Sequence, residues 1–273
     1  QYHFIGRKNY VTLSGKGFEG RSTPLSLGLK ITVVSIFAAW VGFNALLYGS
    51  IFYGSVMQNW GVNHTFTLQH YITLFGQGWK NGAIPSLLQT VLFAVIAAPF
   101  TAMSGFLLAY FFSRHRFFGQ KHIEFLTLLS FAVPGTVAGV SYILAFNNVP
   151  LYLTGTGAII VLSMVTRNMP IGLRAALVNF KQLDPALDEA AYSLKASAFQ
   201  TLRFITLPLL KPALLSALVT SFVRAMTTIS AIIFLVTPST RVATSFILNR
   251  VEDGDYGLAV AYGASLIVIM MLV

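Results

Sequence analysis

The side chains able to do chemistry stand out in this chain because so few residues are charged. Of 273 residues, 55% are hydrophobic and 10% are charged. Arg167 and Arg224 fall inside long apolar stretches. An ionisable group in hydrocarbon is costly, and it marks either a path for a polar solute or a structural pairing with a polar neighbour. Arg167 precedes Asn168 and Pro170, a combination that predicts a break in its segment, facing an interior cavity. Tyr142, Asn147 and Asn148 bring oxygen atoms to the end of another apolar stretch, and oxygen is the donor a hard cation takes. Ser221, Thr227, Thr228 and Ser230 crowd a third stretch, where small polar residues also serve helix packing. Arg250, Glu252, Asp253 and Asp255 make the most charged short run, either a docking surface or a solvated turn around Gly254.

Other chemistry is missing from the pattern. The five histidines, His3, His64, His70, His115 and His122, have no metal-site spacing. There is no cysteine, which removes disulfides and thiolate metal sites. No Gly-x-x-x-x-Gly-Lys-Ser/Thr phosphate loop occurs, so the chain is not expected to bind ATP. No Ser/His/Asp set suggests a hydrolase. We therefore expect no catalytic, metal or cofactor site.

The elements that must position the polar residues are membrane spans. A soluble domain carries roughly 25% charged residues, well above the proportion here. About 20 apolar residues cross the hydrocarbon core of a bilayer. Six such segments lie near 31–56, 84–112, 123–146, 155–178, 213–236 and from 257 onward. The expected architecture is all-α, a polytopic bundle of about six spans. Residues 1–30 form a polar lead-in and 31–273 the membrane domain. The start at Gln1 and the stop at Val273 within an apolar run read as cuts in a longer protein.

Lysine and arginine set the orientation. With the N-terminus in the cytoplasm, Arg7, Lys8, Lys16, Arg21, Lys30, Arg114, Arg116, Lys121, Arg174, Lys181, Lys195, Arg203 and Lys211 lie inside. Only Lys80, Arg241 and Arg250 lie outside. The net charge of +10 is then a topology signal near anionic headgroups, not a nucleic-acid footprint. On the outer side, 67–75 has helical apolar spacing beside Trp60 and Trp79 and is expected to lie along the interface.

Between the fourth and fifth segments lies Asp184-Pro185-Ala186-Leu187-Asp188-Glu189-Ala190-Ala191, followed by an amphipathic run ending Leu207-Pro208-Leu209-Leu210-Lys211-Pro212. This charged, helix-compatible insert must lie outside the bilayer, on the cytoplasmic side by the charge count. Asp184 is a reasonable N-cap with Pro185 at the first helical position. Asp188 and Glu189 suit the positive end of the helix dipole. Small Ala190 and Ala191 allow another protein's surface to approach closely.

The loop, 180–212, resembles the EAA loop of bacterial ABC-importer permeases. That pattern is Glu-Ala-Ala, three residues, Gly, then about nine residues to Ile/Val-x-Leu-Pro. Glu189, Ala190 and Ala191 fit its start; Ile205, Leu207 and Pro208 fit its end. Lys195, followed by Ala196, stands where the family has glycine at a turn between two short helices. A positive φ there costs a non-glycine residue roughly 1 kcal/mol. Residues 221–236 and Ile247–Ala259 resemble the ferric-iron branch, in which one long polypeptide carries two homologous halves. The lead-in Tyr10–Gly17 resembles the linker before the second half there, and one EAA-like loop fits one half.

The resemblance implies a type I importer permease in the bacterial inner membrane. Implied partners are two ABC ATPase subunits that bind ATP and Mg, an N-terminal permease half or second permease subunit, and a periplasmic substrate-binding protein. Membrane lipid surrounds the assembly. Asp188, Glu189, Ala190, Ala191, Lys195, Ala196, Leu207 and Pro208 would couple to the ATPase. Arg167, Arg224, Tyr142, Asn147 and Asn148 are candidates for the path, and Arg250, Glu252, Asp253 and Asp255 for docking the binding protein. The implied cargo is ferric iron; thiamine, polyamine, sulfate and phosphonate stay open. A passive channel has no use for such a loop, and a membrane-embedded enzyme should show intramembrane carboxylates, of which only Glu124 at a span edge comes near.

Overall fold

The computed structural model describes residues 26–76, 82–115, 117–184 and 186–272. The lead-in through residue 25, Trp79, Lys80, Arg116 and Pro185 lie outside the described residues. The chain divides into two compact units, Gln1–Gly49 and Ser50–Val273. Among the described residues, the first holds most of helix α1 (Leu27–Ser55), whose 29 residues are apolar on every face and long enough to cross a membrane.

The second unit begins with a short antiparallel hairpin, β1 (Met57–Asn59) and β2 (Asn63–Phe66), paired Met57 to Phe66 and Asn59 to Asn63. Gly61, at φ +82°, lies in its turn. Helix α2 (Gln69–Gly76) follows, as the apolar spacing over 67–75 predicts. It is tied back by His70 Nε2, 2.9 Å from the Met57 carbonyl, and by the Tyr71 hydroxyl donating to Ser55 Oγ.

Two long helices form the spine. Helix α3 (Ala83–Arg114) has 32 residues and passes through Pro99; at 1.5 Å per residue it is about 48 Å long. Helix α6 (Gly157–Gln182) lies against it. They cross where Gly105 faces Gly172 and Leu173: a Cβ on Gly105 would stand 2.8 Å from the Leu173 nitrogen. Only glycine lets the two backbones approach so closely, the small-residue packing expected where helices meet inside a membrane.

Between these two run α4 (Gln120–Ala132) and α5 (Gly135–Phe146), bent by 107° at Val133-Pro134. The expected third span, 123–146, is therefore not one straight helix. Proline cannot donate a backbone hydrogen bond, and the residue before it is pushed to extended backbone, as Val133 is at ψ 128°. Helix α6, by contrast, runs unbroken through Pro170, which corrects the break expected beside Arg167.

After α6 come α7 (Ala186–Ser193), α8 (Ala198–Leu209) and α9 (Lys211–Thr227). Helix α9 packs on both α3 and α6. It stops at Thr227, short of the expected end at 236; residues 228–242 are irregular apart from a turn at Ile232–Phe234. Helices α10 (Ala243–Glu252) and α11 (Tyr256–Met271) close the unit.

Among the described residues, α1 and α3 are long and apolar enough to span a membrane by themselves. The pairs α4–α5 and α8–α9 pass together as broken spans or re-entrant loops. The about six expected spans thus reduce to two, or up to four, by length and composition, with α6 and the 16-residue α11 outside that test.

The larger apolar core gathers α3, α6, α10 and α11 around Met164, Phe246 and Tyr262. Buried polar groups inside it are paired over long sequence distances. The Tyr262 hydroxyl lies 2.8 Å from the Ala83 carbonyl and 2.9 Å from Ser86 Oγ. Thr90 Oγ1 accepts from the Ala243 N–H at 2.7 Å, capping the start of α10 from a distant helix. A second cluster, Phe106, Phe112, Leu173, Phe180 and Leu210, sits toward the Arg114 end of α3.

Candidate functional site

The segment 184–210 is built almost wholly from local signals. Asp184 Oδ1 accepts from the Ala186 N–H at 2.9 Å, the expected N-cap interaction. Helix α7 ends in a Schellman arrangement, with the Ala196 N–H bonded to the Ala191 carbonyl and the Lys195 N–H to the Tyr192 carbonyl. Lys195 stands at φ +58°, the only positive-φ non-glycine residue among those described. The residue in the family's glycine position thus takes the left-handed conformation, at about 1 kcal/mol. Ser197 then opens α8 with a capping box: its Oγ accepts from the Gln200 N–H, and the Gln200 side chain accepts from the Ser197 N–H. This box was readable in the sequence as Ser-x-x-Gln.

Within α8 the turn Leu202–Thr206 is π-helical, with the Leu207 N–H reaching back to the Leu202 carbonyl. Pro208 follows at once. The wider turn accommodates a residue that cannot continue the α-helical ladder. At Leu210 the chain bends by 73° into α9, and Leu210 is buried in the second apolar cluster.

One ion pair fixes the other side of the loop. Arg114, in the last turn of α3, meets Asp188 in the first turn of α7. Ala191 faces inward and is buried, while Glu189 and Ala190 face outward. Tyr192 and Leu194 are each 83% exposed, and Phe199 is exposed beside them. The loop is a helix–turn–helix held at both ends, whose exposed side carries Glu189, Ala190, Tyr192, Leu194 and Phe199.

The other predicted residues fare differently. Arg167 Nη1 donates to the Val133 carbonyl at 3.3 Å, so it holds the α4–α5 break from the neighbouring helix. The Tyr142 hydroxyl is hydrogen-bonded to Thr166 Oγ1. Asn147 and Asn148 lie exposed beyond the end of α5. No hydrogen bond among the described residues joins these two to Tyr142, and the structure does not assemble the three into a ligand set. No group of three or more His, Asp or Glu side chains capable of holding a metal occurs among the described residues.

Arg224 lines a cleft of about 280 Å³ between α6 and α9, with Asn168, Asn179 and Thr220. Asn168 was not singled out in the sequence for this place; its burial depends on which helices pack around it. At the other end of the unit, Arg250 pairs with Asp253 and Asp255 at 3.7 and 3.3 Å and lies over the Phe246 ring. Glu252 is exposed. Asp255 also borders a cleft of about 420 Å³ with Trp60, His70 and Tyr256.

The family described as binding-protein-dependent transport system inner membrane component matches residues 102–273. The chain is 62% identical over 273 residues to the ferric transport system permease protein FbpB of Actinobacillus pleuropneumoniae, covering all of this chain and 40% of that protein. The chain thus spans about two fifths of that relative's length. It is 30% identical over 196 residues to the sulfate transport system permease protein CysT of Salmonella typhimurium, covering 67% of this chain and 71% of that one. The crystal structure of a bacterial alginate ABC transporter in complex with alginate pentasaccharide-bound periplasmic protein contains a chain of the same fold. Its TM-score is 0.72 at 18% identity, over 89% of this chain and 90% of that chain.

Proposed function

We propose that this chain, which belongs to the family of binding-protein-dependent transport system inner membrane components, is one half of the membrane conduit of an ATP-driven importer for ferric iron. The proposal of iron rests on the similarity to the ferric relative, and the proposal of one half on the fraction of that relative's length the chain spans. The conduit works by alternating access. A periplasmic binding protein delivers cargo at the hairpin end, near Arg250, Glu252, Asp253 and Asp255. Two ATPase subunits act at the other end, and ATP and Mg belong to them. The N-terminal or second permease half completes the path. The count of basic residues supports a cytoplasmic N-terminus and a cytoplasmic 184–210 loop.

A single observation carries the coupling role: 184–210 is an exposed helix–turn–helix, internally capped and anchored at both ends. Asp188 fixes it to α3 and Leu210 fixes it to the core. Glu189 and Ala190 face a partner, backed by buried Ala191; Lys195 and Ala196 shape the turn; Leu207 and Pro208 set the bend into α9. A push on α7 therefore moves the ends of α3, α6 and α9 together. The chemistry of ATP hydrolysis is not expected in this chain, which supplies the lever.

Uptake assays test the cargo. A strain lacking the permease and complemented with it should take up radiolabelled iron in an ATP-dependent manner. Thiamine, putrescine and sulfate serve as competitors and as labelled alternatives. Uptake of sulfate but not iron would shift the reading to the sulfate relatives, which the 30% identity keeps as the second reading.

A further inference from the structure

We propose that the cleft between α6 and α9 binds a small oxyanion, through Arg224 and Asn168. Arg224 is exposed into the cleft, and its side chain makes no hydrogen bond or ion pair among the described residues; its backbone carbonyl accepts from Thr227 and Thr228. Asn168 is 8% exposed and lines the same wall, and its Nδ2 has no hydrogen-bond partner. A buried amide donor left unpaired is costly, and its amide plane can be assigned either way round. An acceptor-rich ligand in the cleft answers both residues at once.

The remaining lining fixes the sign of the ligand. Thr220 and Asn179 already donate to carbonyls of their own helices, and no carboxylate lines the cleft. A bare trivalent cation would meet an uncompensated guanidinium there and nothing to neutralise it. A phosphate or carboxylate group accepts from guanidinium and amide in charge-assisted hydrogen bonds. The cleft runs from the middle of α6 and the last turn of α9 toward the 184–210 end, from Asn168 to Asn179 on one wall and from Arg224 to Ala213 on the other. On the import reading above, cargo passes this point as an oxyanion complex and not as the naked ion. Oxyanion binding itself rests on the cleft alone.

The test uses the full-length permease purified with its ATPase subunits and its other permease half, in nanodiscs. Radiolabelled inorganic phosphate and citrate are titrated, and uptake of ferric citrate, ferric phosphate and sulfate is measured in proteoliposomes. Wild type should bind phosphate or citrate. Arg224→Gln should weaken that binding and the matching uptake about tenfold. Asn168→Ala should weaken both by a smaller factor, and Arg224→Lys should keep part of them. Co-purification of the ATPase subunits and the other permease half with each variant, and an unchanged thermal unfolding midpoint, show that the assembly is intact. Phosphate or citrate binding that depends on Arg224, without iron uptake by wild type, would uphold the cleft and overturn the iron reading. Iron uptake equal in wild type and Arg224→Gln would overturn the cleft's role with cargo and leave the import reading standing. Phosphatidylglycerol retained on wild type and lost from Arg224→Gln, with no phosphate or citrate binding, would assign the cleft to lipid and overturn its role with cargo. No binding of any of these would overturn it outright.

Discussion

The turn at 194–197 and the break at 133–135 both interrupt a run of helix, and they are held in opposite ways. The turn is satisfied by its immediate neighbours: the Schellman bonds of Ala191 and Tyr192 and the Ser197–Gln200 capping box. The break is satisfied from afar. Arg167 reaches the Val133 carbonyl across 34 residues, and Gly135 is pressed against Ser230, nearly a hundred residues on. An exposed lever needs only to keep its own shape while a partner pushes it. Irregular backbone at membrane depth has no water to fall back on, so neighbouring helices must supply its partners. The break is therefore the more fragile of the two.

That difference can be broken or sharpened by substitution, in falling order of effect. Gly135→Val should be the most damaging. A Cβ there would stand 2.0 Å from Ser230 Oγ and 3.0 Å from the Ser230 backbone carbon. We expect a loss of about 3 kcal/mol or more, since the backbone cannot yield. Thermal unfolding in detergent should show it, and wild-type stability would mean that the α5–Ser230 approach is looser than described. Lys195→Gly should act on the turn in the other direction and mildly. Relief of the left-handed conformation at φ +58° should stabilise α7 and α8 by about 1 kcal/mol. Hydrogen exchange of the α7 amides would register it, and faster exchange in the glycine variant would contradict the strain argument.

The same contrast decides what could be read from the sequence. Asp184, Glu189-Ala190-Ala191 and Leu207-Pro208 are local signals, and the loop they predict is present with its turn at Lys195. The long apolar stretches near 31–56, 84–112 and 155–178 also became helices, because apolar composition over 20 residues is a local property. The break at Val133-Pro134 was missed although Pro134-Gly135 is a recognised interruption signal. Apolar residues on both sides masked it. The early end of α9 and the irregular 228–242 segment depend on packing against α5. The cleft was half legible: Arg224 stood out as a charge in an apolar stretch, whereas Asn168 acquired its meaning only when burial left its amide unpaired.

The coupling claim is tested most directly by Glu189→Arg in the full-length permease, co-expressed with its ATPase subunits and other permease half. Glu189 is exposed, so the reversal should leave the amount of protein in the membrane and its thermal stability unchanged. Co-purification of the ATPase and ATP-driven uptake should fall at least about tenfold, equivalent to about 1.4 kcal/mol of docking. Normal ATPase recovery and normal uptake in this variant would contradict the assignment of 184–210 as the lever.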